Sequence, residues 1–117
     1  KQRGLQSQLE ESQAYRVVLY PPTQRSNRCI GIKQISSGGI SGTVADPKVI
    51  LQTALISNAS SMILAHNHPS NSVKPSENDK KLTTKLTMAG DLIDVAVLDH
   101  IILGWTDHFS FANEGIL

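Results

Sequence analysis

"SSMILAHNHPSNSVKPSENDKKLTTKLTMAG", residues 60–90, holds two different hydrophobic patterns separated by a polar, proline-bearing stretch. Met62 to Ala65 is a short apolar run flanked by polar residues, which suits a strand buried on both faces. Residues 67–75 read as a loop. From Ser76 the spacing turns helical. Ser76 is a good N-cap, and Glu77 and Asp79 stand in the first turn, where the helix dipole favours negative charge. Leu82, Leu86 and Ala89 share one face, and Gly90 is expected to stop the helix.

Outward from this unit the alternation continues. "DPKVILQTALISNA" (46–59) opens with Asp46 as N-cap and Pro47 at the first helical position. Val49, Ile50, Thr53, Ala54 and Ile56 form its apolar face, and Asn58 can end it. Before it, "SSGGISGTV" (36–44) matches neither a nucleoside-phosphate loop nor a dinucleotide fingerprint, so its glycines read as turn and bulge residues. "YRVVLY" (15–20) is a strand of β-formers, "PPTQRSN" (21–27) a loop, and "RCIGIKQI" (28–35) the hairpin partner of the first strand. "KQRGLQSQLEES" (1–12) is polar, and residues 1–14 read as an extension or linker ahead of a domain at 15–117. After the central unit, "IDVAVLDHIILGW" (93–105) is a long strand or a tight strand pair, and "HFSFA" (108–112) a final strand. The order β-β-(β)-α-β-α-β-β makes the class α/β or α+β, with one mixed central sheet flanked by helices.

The bulk numbers bound the function. A chain of 117 residues, 39% hydrophobic and 18% charged, suits one globular domain and argues against disorder. The net charge of +1 does not ask for nucleic acid as a partner. A single Cys29 excludes a disulfide framework and an all-cysteine zinc site. No apolar run approaches the roughly 20 residues of a membrane span and no signal peptide is visible, so a cytoplasmic protein with no membrane partner is expected. The chain starts at Lys1, as an excised domain would.

His66 and His68 stand just past the end of the buried strand. In extended backbone, residues i and i+2 point to one side, so two imidazoles can converge on one ion. Asp79, in the first turn of the next helix, can be brought back to the same ion by the loop. Two histidines and a carboxylate leave a fourth position for water, the pattern of catalytic zinc, which lowers the pKa of that water to about 7. Taken singly, a His-x-His pair is more often part of a polar loop, and an early aspartate more often serves the helix dipole. The joint pattern carries the metal reading: strand end, H-x-H-P, a proline-bearing loop, then Ser76 and Asp79 opening a helix.

"HNHPSNSVKPSEND" matches the H-x-H-P…S-x-x-D signature of JAMM (JAB/MPN) metalloproteases, with ten residues between His68 and Asp79. From "GISGTVADPK" through "VLDHIIL" to "FSFANEGIL", roughly residues 15–117, the chain resembles the RadC-like JAB domain. The resemblance implies a cytidine-deaminase-like α/β sandwich and one zinc held by His66, His68 and Asp79. It makes Ser76 the oxyanion-stabilising position and implies hydrolysis of an amide or isopeptide bond in a peptide or isopeptide-linked protein. The family's name carries a link to DNA repair.

Two departures qualify this. The family's general-base glutamate lies two residues before an aromatic at the first core strand. Here the aromatic is Tyr15 and that position is Gln13, which cannot take a proton; Glu11 is the possible substitute. Asn71 stands where a glycine is common, and asparagine tolerates the left-handed conformation. His100, in "LDHII", reads as buried and structural or supporting rather than ligating, with Asp99 on the opposite face and His108 at the surface. Three functions compete: a zinc hydrolase, a JAB binding module weakened at Gln13, and a DNA-repair accessory domain. A nucleoside deaminase is disfavoured, since it would need H-x-E and P-C-x-x-C.

Overall fold

The structure, a computed structural model, describes residues 14–22, 29–36, 45–68 and 72–117. The expected extension at 1–14, except Ala14, lies outside them, as do the glycine-rich stretch 37–44, most of the loop 21–27 and Asn71.

The elements run β1 (Tyr15–Tyr20), β2 (Gly31–Ser36), α1 (Pro47–Ile56), β3 (Ser61–Asn67), α2 (Glu77–Leu92), β4 (Ala96–Leu103) and β5 (His108–Ser110). The strands form one five-stranded mixed sheet in the order β2-β1-β3-β4-β5. β1 pairs antiparallel with both β2 and β3, β3 pairs parallel with β4, and β4 antiparallel with β5. A parallel pair needs a crossover connection, and α2 supplies it. The expected α/β class with a mixed sheet and helices is the one observed.

In β1, Tyr15, Val17 and Leu19 are buried while Arg16 is exposed, the period-two alternation of a strand with one core face. Met62, Leu64 and His66 do the same in β3, and Ile50, Ala54, Leu82 and Leu86 cover that face from the helices. The expectation that β3 is buried on both faces holds for one only; Ile63 and Ala65 are half-buried. In α1, Asp46 caps the Lys48 N–H and Asn58 adopts φ 53 beyond the helix end. Val49 and Ile56, read as core positions, are exposed.

Gly90 does not end α2. The helix runs two residues further, and Asp94 at φ 60 makes the turn into β4. Gly90 is there because a Cβ would collide with the Val95 carbonyl oxygen, while its own carbonyl accepts the Ile93 and Val95 N–H groups. The expected 93–105 strand is therefore Ala96–Leu103, with 93–95 spent on that turn, and the final strand is only three residues long.

Candidate metal centre

Register decides which residues meet at the end of β3. His66 lies across from Tyr15 on β1 and Ile102 on β4. The His68 N–H bonds the Leu103 carbonyl at 3.2 Å, which holds the chain in line for one more residue. The two imidazoles come to a centroid separation of 4.9 Å. α2 brings in Asp79 through a reciprocal cap. Ser76 Oγ accepts the Asp79 N–H at 3.0 Å, and Asp79 Oδ2 accepts the Ser76 N–H at 2.8 Å.

His66, His68 and Asp79 thus each offer one ligand atom, all within 4.8 Å of one another, and the group can hold a metal. Asp79 Oδ1 is 3.4 Å from His66 Nε2, and Asp79 Oδ2 is 3.1 Å from His68 Nε2. Ligands about 2.0 Å from a tetrahedral zinc would sit about 3.3 Å apart.

The proton positions follow from what each partner can do. With the Thr83 hydroxyl donating to the Asp79 carbonyl at 2.8 Å, the tautomer that satisfies both partners has His100 Nδ1–H donating to the Thr83 oxygen at 2.5 Å. His100 Nε2 is then a lone pair and accepts the His66 Nδ1–H at 2.9 Å. That leaves His66 Nε2 as a bare lone pair, buried and without a hydrogen-bond partner. Its approach to Asp79 is therefore not a hydrogen bond. A buried acceptor left unpaired costs about 1–3 kcal/mol, and a cation removes that cost. On the other histidine, Nδ1 donates to the Ser72 carbonyl at 2.9 Å, which aims the Nε2 lone pair at Asp79. A proton or a metal ion has to stand between these two acceptors. The donor set and its tautomers fit zinc, for which neutral imidazole and carboxylate are ordinary ligands.

The electrostatics agree. Burial lowers the His66 pKa to about 3 and the His100 pKa to about 4, so both rings are neutral at ordinary pH. The hydrogen bond to Asp79 raises the His68 pKa. Burial pushes the Asp79 carboxyl up, but hydrogen bonds from His68 and Ser76 outweigh it and hold the group well below its usual range. Tyr15 stacks on His66 at 4.3 Å and donates its hydroxyl to Asp79 Oδ1 at 3.2 Å. Burial, with Asp79 beside it, raises the Tyr15 phenol.

The other residues singled out from sequence fall as follows. Ser76 caps α2 next to Asp79 and is exposed; its hydroxyl proton has no acceptor among the described residues. His100 is buried behind His66 and is not one of the three converging groups. Asp99 faces away from it, taking the Ser110 hydroxyl at 2.6 Å and the Ala112 N–H at 2.9 Å. These bonds seat Phe111 flat on His100 at 4.6 Å. Gln13 and Glu11 lie outside the described residues. Sequence reasoning missed Thr83 and the Tyr15–Asp79 bond. Thr83 had a usable signal: it stands four residues after Asp79, on the same helix face.

The profile of the RadC-like JAB domain family matches residues 4–116. A UPF0758 protein of Flavobacterium johnsoniae is 44% identical over 91 residues, 78% of this chain and 40% of that protein. A UPF0758 protein of Burkholderia cenocepacia is 40% identical over 103 residues, 88% of this chain and 40% of that protein. The UPF0758 protein YfjY of Escherichia coli is 41% identical over 93 residues, 80% of this chain and 58% of that protein. The chain thus spans between two fifths and three fifths of the length of these relatives.

Proposed function

The chain belongs to the RadC-like JAB domain family, and we propose that its His66–His68–Asp79 centre holds one zinc ion and hydrolyses an amide or isopeptide bond in a protein or peptide. The observation that carries this reading is the orphaned Nε2 of His66, held as a lone pair by a relay that ends on Thr83. Bound zinc supplies a Lewis acid and a hydroxide nucleophile at neutral pH. The chain's own residues do the rest. His66 and His68 present neutral Nε2 atoms because Nδ1 of each donates to a fixed acceptor. Asp79 stays ionised, and the Tyr15 ring covers His66. Ser76, with a hydroxyl proton to spare beside Asp79, is the donor for a developing oxyanion. The single cysteine suits a cytoplasmic setting. Among the described residues no helix is long and apolar enough to cross a membrane.

Elemental analysis of the purified protein is expected to find about one zinc per chain, and His68→Ala to abolish it. Protein that is free of zinc and takes none up on addition sinks the proposal.

A second reading rests on Gln13, which occupies the family's base position and cannot accept a proton. In that reading the domain keeps the metal but binds its protein partner without cleaving it, unless Glu11 serves instead. Comparing isopeptide hydrolysis by wild type and Gln13→Glu separates the two. A large gain supports the binding module; equal rates remove it. A DNA-repair accessory role ranks last for a domain this close to neutral, and a steep salt dependence of DNA binding would be its mark.

A further inference from the structure

A cleft of about 280 Å³ opens beside His68, lined by Arg16, Asn67, Leu103, Gly104 and Trp105. None of these five residues belongs to the metal centre. Strand register explains how they meet. Asn67 pairs with Leu103 across β3 and β4, on the sheet face that carries Arg16 and opposite the face that carries His66. Gly104 and Trp105 continue from the end of β4, where the Gly104 N–H bonds the Asp107 carbonyl at 2.9 Å and turns the chain. The cleft combines an indole 36% exposed, a leucine 43% exposed and one guanidinium. Among the described residues Arg16 has no ion-pair partner.

We propose that this cleft is the specificity subsite of the centre, taking a peptide segment in which an apolar residue is followed by a carboxylate. The volume lies just below the range of whole small-molecule sites, which fits a side chain or two of an extended ligand. Leu103 and Trp105 bury the apolar group, and Arg16 pairs with the carboxylate in the two-pronged way a guanidinium allows. His68 forms one wall, so a segment seated here touches one of the three residues of the metal centre. Single-stranded nucleic acid also uses an aromatic and a cation. It needs a basic track along its backbone, and this cleft offers a single arginine on a chain of net charge +1. The subsite rests on the hydrolase reading for its role but not for its binding.

The chain has one tryptophan and it lines this cleft, so its fluorescence reports on binding here. The zinc-supplemented protein is titrated with N-acetyl-Leu-Glu-amide, with the neutral N-acetyl-Leu-Gln-amide and with an eight-nucleotide oligo(dT). The acidic peptide is expected to change the emission saturably and to bind about tenfold tighter than the neutral one, the size of one charge-assisted hydrogen bond. Arg16→Gln is expected to erase that difference. So is Leu103→Asp, which sets a carboxylate in the cleft from a different strand; both sites are exposed, and melting curves check that the variants fold. Equal binding of the two peptides, or none, overturns the proposal. So does an oligo(dT) response that is lost in Arg16→Gln, which assigns the cleft to nucleic acid. Acid-selective binding by a protein that hydrolyses nothing upholds the cleft and overturns the hydrolase reading alone. Zinc-dependent hydrolysis indifferent to Arg16→Gln does the reverse.

Discussion

His66 and His100 are joined ring to ring, Nδ1 to Nε2, by a 2.9 Å hydrogen bond between two fully buried imidazoles. His100 cannot be charged without losing this bond, because its Nε2 lone pair is the acceptor, and burial keeps His66 neutral. The pair is therefore a device for holding one proton in one place. It turns a histidine that could take either tautomer into one whose outward nitrogen is always a lone pair.

Breaking the far end of the relay should loosen the near end. Thr83→Val keeps the shape of the side chain and removes the oxygen that accepts from His100 Nδ1. Zinc affinity, read by competition with a chromophoric chelator, is expected to fall about 10–100-fold with the helix content unchanged. An affinity equal to wild type would show that the His66 tautomer needs no support from α2.

Asp79 has two separable duties, and conservative substitution should divide them. It caps α2 through the Ser76 N–H and faces both histidines. Asp79→Asn keeps an oxygen for the cap but loses the charge. It is expected to abolish zinc binding while costing the metal-free protein about 1 kcal/mol or less. Asp79→Ala loses both duties and is expected to melt lower still. If Asp79→Asn retains one zinc per chain, the carboxylate is not a ligand.

The metal-free protein should be acid-labile well above the carboxylate range. His66 and His100 have folded pKa values of about 3 and about 4, below the ordinary 6.5. A depressed histidine favours the folded state above pH 6.5, and the unfolded chain takes up the extra protons as the pH falls below it. Each ring therefore removes up to about 1.4 kcal/mol of stability per pH unit between pH 6.5 and its folded pKa. His68, raised by Asp79, acts above this window: its contribution grows as the pH falls toward 6.5 and is constant below it. Asp79, lowered, adds its own loss below about pH 4. Urea midpoints at pH 6.5, 5.5 and 4.5 should fall in that order, and a flat series contradicts the buried neutral pair.

Gly90→Ala tests the end of α2. Alanine gains about 1 kcal/mol in helix propensity over glycine. Here the new Cβ meets the Val95 backbone carbonyl, which cannot move without disturbing the entry to β4. Overpacking of this kind costs about 1–3 kcal/mol, so the variant is expected to melt lower than wild type. A higher melting temperature would mean that the turn at 93–95 yields easily.

The sequence by itself determined a good deal. Local signals place every element that carries a ligand: the apolar run before His66, the prolines after His68, and the Ser76 cap that opens α2. The three converging residues are legible because they lie within fourteen positions, in a strand end and a first helical turn whose geometry is local. Gly90 was misread for the same reason that other signals worked. A glycine late in a helical pattern usually marks its end, and only the packing of β4 shows that this one marks a close approach. Pairing across the sheet decided the rest. His100 reaches His66 from 34 positions away, Tyr15 reaches Asp79 from 64, and Arg16 meets Leu103 and Trp105 across three strands. Hydrophobic period tells which face a residue takes, but not which residue stands beside it in the neighbouring strand. A one-residue change of register would leave the ligands in the sequence and dissolve the relay that makes them a site.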